Sequence, residues 1–167
     1  MSTKSEQALD FFYRGFSCAQ SVLAPFAAEL GMSEQSALRL AAPFGAGLGR
    51  MRGTCGAFSS LCMVAGHCCG NTEGTVEGKE RIYRLTRELA ERFTAAHGSL
   101  LCRELLHLEP GQSEPAAPGE RSPAYYEGRP CMRCIAWAAA EAEQLLHHPP
   151  SEPQSPESPL SQSGRVF

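Results

Sequence analysis

Apolar side chains recur at three- and four-residue spacings along most of the chain, and no segment alternates convincingly enough to predict a strand. Thr3-x-x-Glu6 has the form of a capping box and is followed by Leu9, Phe12 and Phe16 at helical spacing. Ser17-x-x-Gln20 repeats that signal and opens a helix carrying Val22, Leu23, Phe26 and Leu30, stopped by Gly31. Ser33 starts a short helix containing Leu38 that ends near Pro43. Gly45, Gly47, Gly49 and Gly53 then make an irregular turn. Thr54 is placed to cap a helix running to Cys69, with Gly70 just past its end. Glu77 to Ala96 is the clearest amphipathic helix: Ile82, Leu85, Leu89, Phe93 and Ala96 share a face, and Gly98 closes it. Ser99 is placed to cap a short helix through Leu105 and Leu106, and Pro130 suits the first turn of a last helix from Cys131 to about Leu146. The pattern predicts an all-α, single-domain bundle of roughly six to seven helices.

Proline divides the chain. Five of the 12 prolines lie in Glu109–Pro130 and five in Pro149–Phe167. The second stretch has almost no apolar side chains to bury and is predicted to be a disordered tail. The first reads as a long Pro/Gly-rich loop (109–130) inside a helical domain of residues 1–148, pinned to the core by Tyr125 and Tyr126.

Net charge is -3 in 167 residues, which argues against nucleic-acid binding, because that requires a basic face to neutralise phosphates. No apolar run reaches the ~18 residues needed to span a bilayer, so no membrane role is expected. The first residues, Met1-Ser-Thr-Lys-Ser-Glu, lack the apolar stretch of a secretory signal, and a cytoplasmic location follows as the expectation. Eight cysteines change the picture. Their density is below the ~8–10% of a disulfide scaffold, and in a reducing compartment such cysteines are metal ligands or redox thiols, or else small buried hydrophobes.

Four of them fall at starts of predicted helices: Cys18 after Ser17, Cys55 after Thr54, Cys102 three residues after Ser99, and Cys131 after Pro130. A helix N-terminus presents unpaired N–H groups and partial positive charge, and both favour the thiolate that attacks disulfides and binds metals. The four lie far apart in sequence and can meet only through tertiary folding.

Gly15-Phe-Ser-Cys18-Ala-Gln-Ser-Val resembles the opening of the C_GCAxxG_C_C family of redox-active proteins. The family's defining block is similar to Gly53-Thr-Cys55-Gly56-Ala57-Phe-Ser-Ser60, preceded by Phe44-Gly-Ala-Gly-Leu-Gly-Arg50. Its third and fourth cysteines match Cys102 in Cys102-Arg-Glu-Leu-Leu and Cys131 in Cys131-x-x-x-Ile-x-x-Ala138, so the likeness runs from about Ala8 to Leu146. One departure stands out: Ser60 occupies the final Gly of the CGAxxG block. The resemblance implies a helical redox protein associated with oxidoreductase or transporter systems. It also implies iron–sulfur ligation on such cysteines, as proposed for a related domain of a haem protein.

The other cysteines read differently. Cys55, Cys62 and Cys69 recur every seven residues, so they share a helix face. They span about 21 Å of rise, too far for one ion, and read as a core stripe; Cys68 adjoins it. Cys131-Met-Arg-Cys134 is a CxxC whose spacing suits either a dithiol–disulfide couple or two ligands of one metal, so Cys134 joins the candidate metal ligands. Gly45-x-Gly47-x-Gly49 lacks the preceding strand of a nucleotide loop and reads as a turn. Arg50 and Arg52 read as solvated side chains, or as added positive field near Cys55. His67 suits a helix C-terminus.

Three function classes remain open. The first is a redox protein, electron carrier or oxidoreductase in which Cys18, Cys55, Cys102 and Cys131 converge. They would act either as iron–sulfur ligands or as a thiol–disulfide couple with Cys55 attacking and Cys131, beside Cys134, resolving. The second is a non-redox protein holding zinc or copper(I) on the same cysteines. The third is a helical interaction module with incidental cysteines. The first calls for a redox partner protein, and a homodimer that buries spare apolar stripes is compatible with all three.

Overall fold

The computed structural model describes residues 3–109, 111 and 114–150. Among them are eight α-helices and no strand: α1 Lys4–Tyr13, α2 Cys18–Leu23, α3 Glu34–Ala41, α4 Gly56–Cys69, α5 Val76–His97, α6 Cys102–Leu105, α7 Pro123–Glu127 and α8 Cys131–His147. The all-α expectation holds. α7, which sits inside the Pro/Gly-rich loop, is the element the sequence pattern passed over. Most of the predicted tail lies outside the described residues.

Local chemistry sets the starts. In α1, Thr3 Oγ1 accepts from the Glu6 N–H while the Glu6 carboxylate accepts from the Thr3 N–H. Ser17 and Gln20 make the same reciprocal pair at α2. The predicted helix to Leu30 is shorter than expected. Pro25 has no N–H to continue the ladder, so α2 stops at Leu23 and tightens into a 3₁₀ turn over Ala24–Phe26. Pro43 ends α3 in the same way. α5 follows its predicted span closely, capped by Thr75 and closed by Gly98 in the left-handed region, although Ala96 at its end is exposed.

α4 and α8 form the centre and pack on each other; α1 lies on α8, α2 contacts α1, α4 and α8, and α5 covers α4. Small residues permit this closeness. Ala57, Ser60, Val64 and Ala65 on α4 and Ala138, Ala139 and Ala142 on α8 are all buried. Ser60, at the position where the resembling block has Gly, is accommodated because its hydroxyl donates to the Ala19 carbonyl of α2 at 2.8 Å. Phe26, Leu61, Leu89, Phe93 and Ile135 fill the remaining core. The loop expectation at Tyr125 and Tyr126 holds. Tyr126 packs edge-on to Phe12 at 5.6 Å, and Arg121 donates to the Phe12 and Phe16 carbonyls at 2.8 and 2.9 Å.

Candidate cysteine site

α2, α4, α6 and α8 point their N-terminal ends toward a common cavity. Its volume is about 700 Å³, and Cys18, Cys55, Cys102, Cys131 and Cys134 all line it. Cys18, Cys102 and Cys131 are the first residues of α2, α6 and α8. Cys134 lies one turn into α8, 1% exposed. Two starts differ from the sequence reading. Thr54 does not cap α4; it is extended and forms an isolated antiparallel bridge with Leu101, leaving Cys55 itself as the cap residue. Ser99 does not cap α6; its hydroxyl accepts from the Leu101 N–H and donates to Glu104, so Leu101 holds the cap position. The reason is the pairing of the two segments: the Cys55 N–H donates to the Leu100 carbonyl at 2.8 Å and the Cys102 N–H to the Gly53 carbonyl at 2.7 Å. These two bonds bring Cys55 and Cys102 together across 47 residues of sequence (102 − 55).

The glycine-rich turn forms one wall. Ala46, Gly47, Leu48, Gly49 and Arg50 all have positive φ, as does Arg52. Non-glycine residues pay about 1–2 kcal/mol each there, and such runs are rare outside functional sites. Gly47 is required twice over, since its φ is +73° and an added Cβ would sit 2.7 Å from the Cys102 Cβ. At the start of α4, a Cβ on Gly56 would fall 2.6 Å from the Phe44 carbonyl oxygen and 2.8 Å from the Cys18 sulfur. The CGA block therefore works through an absent side chain, which lets α4 approach the start of α2.

Electrostatics correct the thiolate expectation. Burial, then the neighbouring Cys55 and Cys102, pushes the Cys18 thiol up to about 12. Burial, then Cys18, Cys55 and Cys102, does the same to Cys131, also to about 12. Cys55 is held well above its ordinary value by its hydrogen bond with the Cys134 thiol, then by burial. Burial also raises Cys102, against the opposing pull of Arg52. Helix-start N–H groups do act in the predicted direction, at Ala19 on Cys18 and at Ala57 and Phe58 on Cys55, but desolvation outweighs them. Every pairing among Cys18, Cys55, Cys102 and Cys131 is close enough for one ionised sulfur to raise another.

Arg52 is the residue the sequence misjudged. It is 4% exposed, not solvated, and it sits against Cys102, with its Nη1 3.6 Å from that sulfur. Its Nε donates to the Glu114 carboxylate. Arg50 donates to the Pro115 carbonyl at 2.8 Å, so both arginines tie the 114–121 strap over the cavity. Arg121, Arg129, Glu114 and Glu120, which no sequence motif marked, complete the charged lining.

The remaining cysteines stand apart. Cys62 packs partly buried against the core and lines a separate apolar groove with Leu48, Met51 and Phe58. Burial lifts its thiol to about 11. Cys68, rather than Cys69, is the third to pack on the core, so the stripe reading holds only in part. His67 lies in the last turn of α4 as expected. Among the described residues no three His, Cys, Asp or Glu side chains are grouped to hold a metal ion. No helix among them is long and apolar enough to cross a membrane.

An all-α protein with a cysteine-lined cavity at the convergence of four helix N-termini is the class that fold and site define. The family model described as "Putative redox-active protein (C_GCAxxG_C_C)" matches residues 16–145, and the chain belongs to that family. No curated protein and no solved structure matches it.

Proposed function

We propose that the protein carries electrons on an iron–sulfur cluster held by Cys18, Cys55, Cys102 and Cys131. The observation that carries this reading is that these four cysteines, at the starts of four separate helices, line one cavity. Four thiols held protonated chiefly by burial (for Cys55, by Cys134 first), with neighbouring sulfurs adding to it, are poor free nucleophiles. A cationic centre removes that penalty, because a coordinating thiol is deprotonated outright. The donor set, four sulfurs, is the usual one for such clusters.

The cavity lining carries Arg50, Arg52, Arg121 and Arg129 against Glu114 and Glu120, a net positive surround suited to any anionic thiolate-ligated centre. The family's description as redox-active favours a cluster over a zinc ion, which has no redox chemistry. When bound, the cluster would supply one-electron transfer. The chain's part is to exclude water through the 114–121 strap, to hold the sulfurs from rigid helix starts, and to supply compensating positive charge. An electron carrier of this kind works with a redox partner protein.

A second reading is favoured by one interaction. Cys134 is the side chain that bears most strongly on the Cys55 thiol, so a thiol–disulfide couple would join these two rather than Cys55 and Cys131. The S–S bond would form as two electrons and two protons pass to an external disulfide, which is reduced to two thiols. The raised pKa of Cys55 makes it a slow attacker at neutral pH and ranks this reading second.

Anaerobic purification followed by visible spectroscopy, with assay of iron and acid-labile sulfide, tests the proposal. Brown colour with iron and sulfide, lost in Cys18→Ser and Cys102→Ser, is expected. A colourless protein that takes up no iron on anaerobic reconstitution overturns it. Loss of the mass of two hydrogens on mild oxidation, abolished by Cys134→Ser, would select the second reading.

A further inference from the structure

Arg52 is fixed at both main-chain groups and at both ends of its guanidinium. Its N–H donates to the Ala46 carbonyl at 3.3 Å and its carbonyl accepts from Arg103 at 3.2 Å. The adjacent Gly53 carbonyl accepts the Cys102 N–H. The main chain of Arg52 and Gly53 is thus zipped to the first turn of α6, and the side chain returns to the same place, Nη1 against the Cys102 sulfur and Nε against Glu114. Arg50 Nη2 lies 3.8 Å from the other Glu114 oxygen. Holding φ near +59° in a non-glycine residue is a cost the fold bears to keep this guanidinium where it is.

Resting on the cluster reading above, we propose that Arg52 is a positioning residue that sets the reduction potential at Cys102, and that Glu114 sets how much of its charge the sulfur feels. A charged N–H donor beside a ligand sulfur stabilises the more negative, reduced state, and hydrogen bonds to sulfur and local net charge are the protein's usual controls on cluster potential. Glu114 offsets that charge from the opposite side of the guanidinium. The two residues therefore act with opposite sign, although both are partners in one ion pair.

The test is a spectroscopic redox titration of the loaded protein, comparing wild type with Arg52→Met, Arg52→Lys and Glu114→Gln. In Arg52→Met the reduced-to-oxidised ratio at a fixed poise falls about tenfold, equivalent to about 59 mV downward for one electron. Arg52→Lys falls by less, because the charge remains while the planar fork is lost. Glu114→Gln shifts upward. A purely structural ion pair would move Arg52→Met and Glu114→Gln the same way or not at all, and either result overturns the inference. If Arg52→Met does not load, Arg52→Lys and Glu114→Gln still decide it by their opposite signs. A wild type that binds no iron overturns both this inference and the reading beneath it; a loaded wild type with unmoved variants overturns this inference alone.

Discussion

Gly56 and Gly66 lie on the same helix, and the same substitution should act on them with opposite sign. Alanine is favoured over glycine in a helix by about 1 kcal/mol, because it restricts the unfolded chain. At Gly66 a Cβ meets nothing within 4 Å, so Gly66→Ala should gain roughly that amount. For a chain of this size it raises Tm by about 2–4 °C. At Gly56 the new Cβ lies 2.6 Å from the Phe44 carbonyl oxygen and 2.8 Å from the Cys18 sulfur. The first obstacle is backbone and cannot swing away. Overpacking of this kind costs about 1–3 kcal/mol, which cancels or exceeds the helix gain and leaves a net loss of up to about 2 kcal/mol. Tm should then fall by up to roughly 8 °C. The displaced Cys18 should also reduce iron bound per chain, while Gly66→Ala leaves it unchanged. Thermal unfolding followed by circular dichroism, paired with iron assay, reads both quantities. A Gly56→Ala protein as stable and as fully loaded as Gly66→Ala would refute the claim that this glycine exists to admit the start of α2.

Three further outcomes follow from the same geometry. Ser60→Ala removes the buried hydroxyl that donates to Ala19 and should cost about 1 kcal/mol in denaturant unfolding, with the m-value unchanged. Leu48, 43% exposed and in the left-handed region at φ 65°, should give a modest gain on Leu48→Gly, roughly 0.5–1 kcal/mol after glycine's entropy cost; a loss would mean the turn is not strained there. Metal-free protein should lose stability as pH rises from 9 toward 12. Its folded Cys18 and Cys131 thiols stay protonated up to about 12 whereas the unfolded chain releases those protons near 9, so the folded state binds more protons throughout that window. Urea midpoints at pH 8 and 10.5 check the sign, and Cys18→Ser should flatten the slope.

The helices themselves were written locally. Thr3 with Glu6 and Ser17 with Gln20 cap as their spacing says, and Gly98 closes α5, because these signals act within one turn of backbone. Pro25 was legible too, and the longer helix expected through it to Leu30 failed because the apolar period was followed past a residue with no N–H to give. That Cys18, Cys55, Cys102 and Cys131 stood near helix starts could be read from the sequence, although Thr54 and Ser99, the caps it assigned to two of them, do not cap. That they share a cavity depends on tertiary contacts: the Cys55–Leu100 and Cys102–Gly53 backbone bonds join two of them, and the packing of α2 and α8 on α4 brings Cys18 and Cys131. Their protonation could not be read at all. A helix start favours the thiolate wherever it occurs, but how much water a sulfur loses and how near the next sulfur lies are properties of the folded assembly alone. Arg52 shows the same division: its sequence neighbours describe an exposed arginine in a glycine turn, and only the packed chain gives it Glu114 on one side and Cys102 on the other.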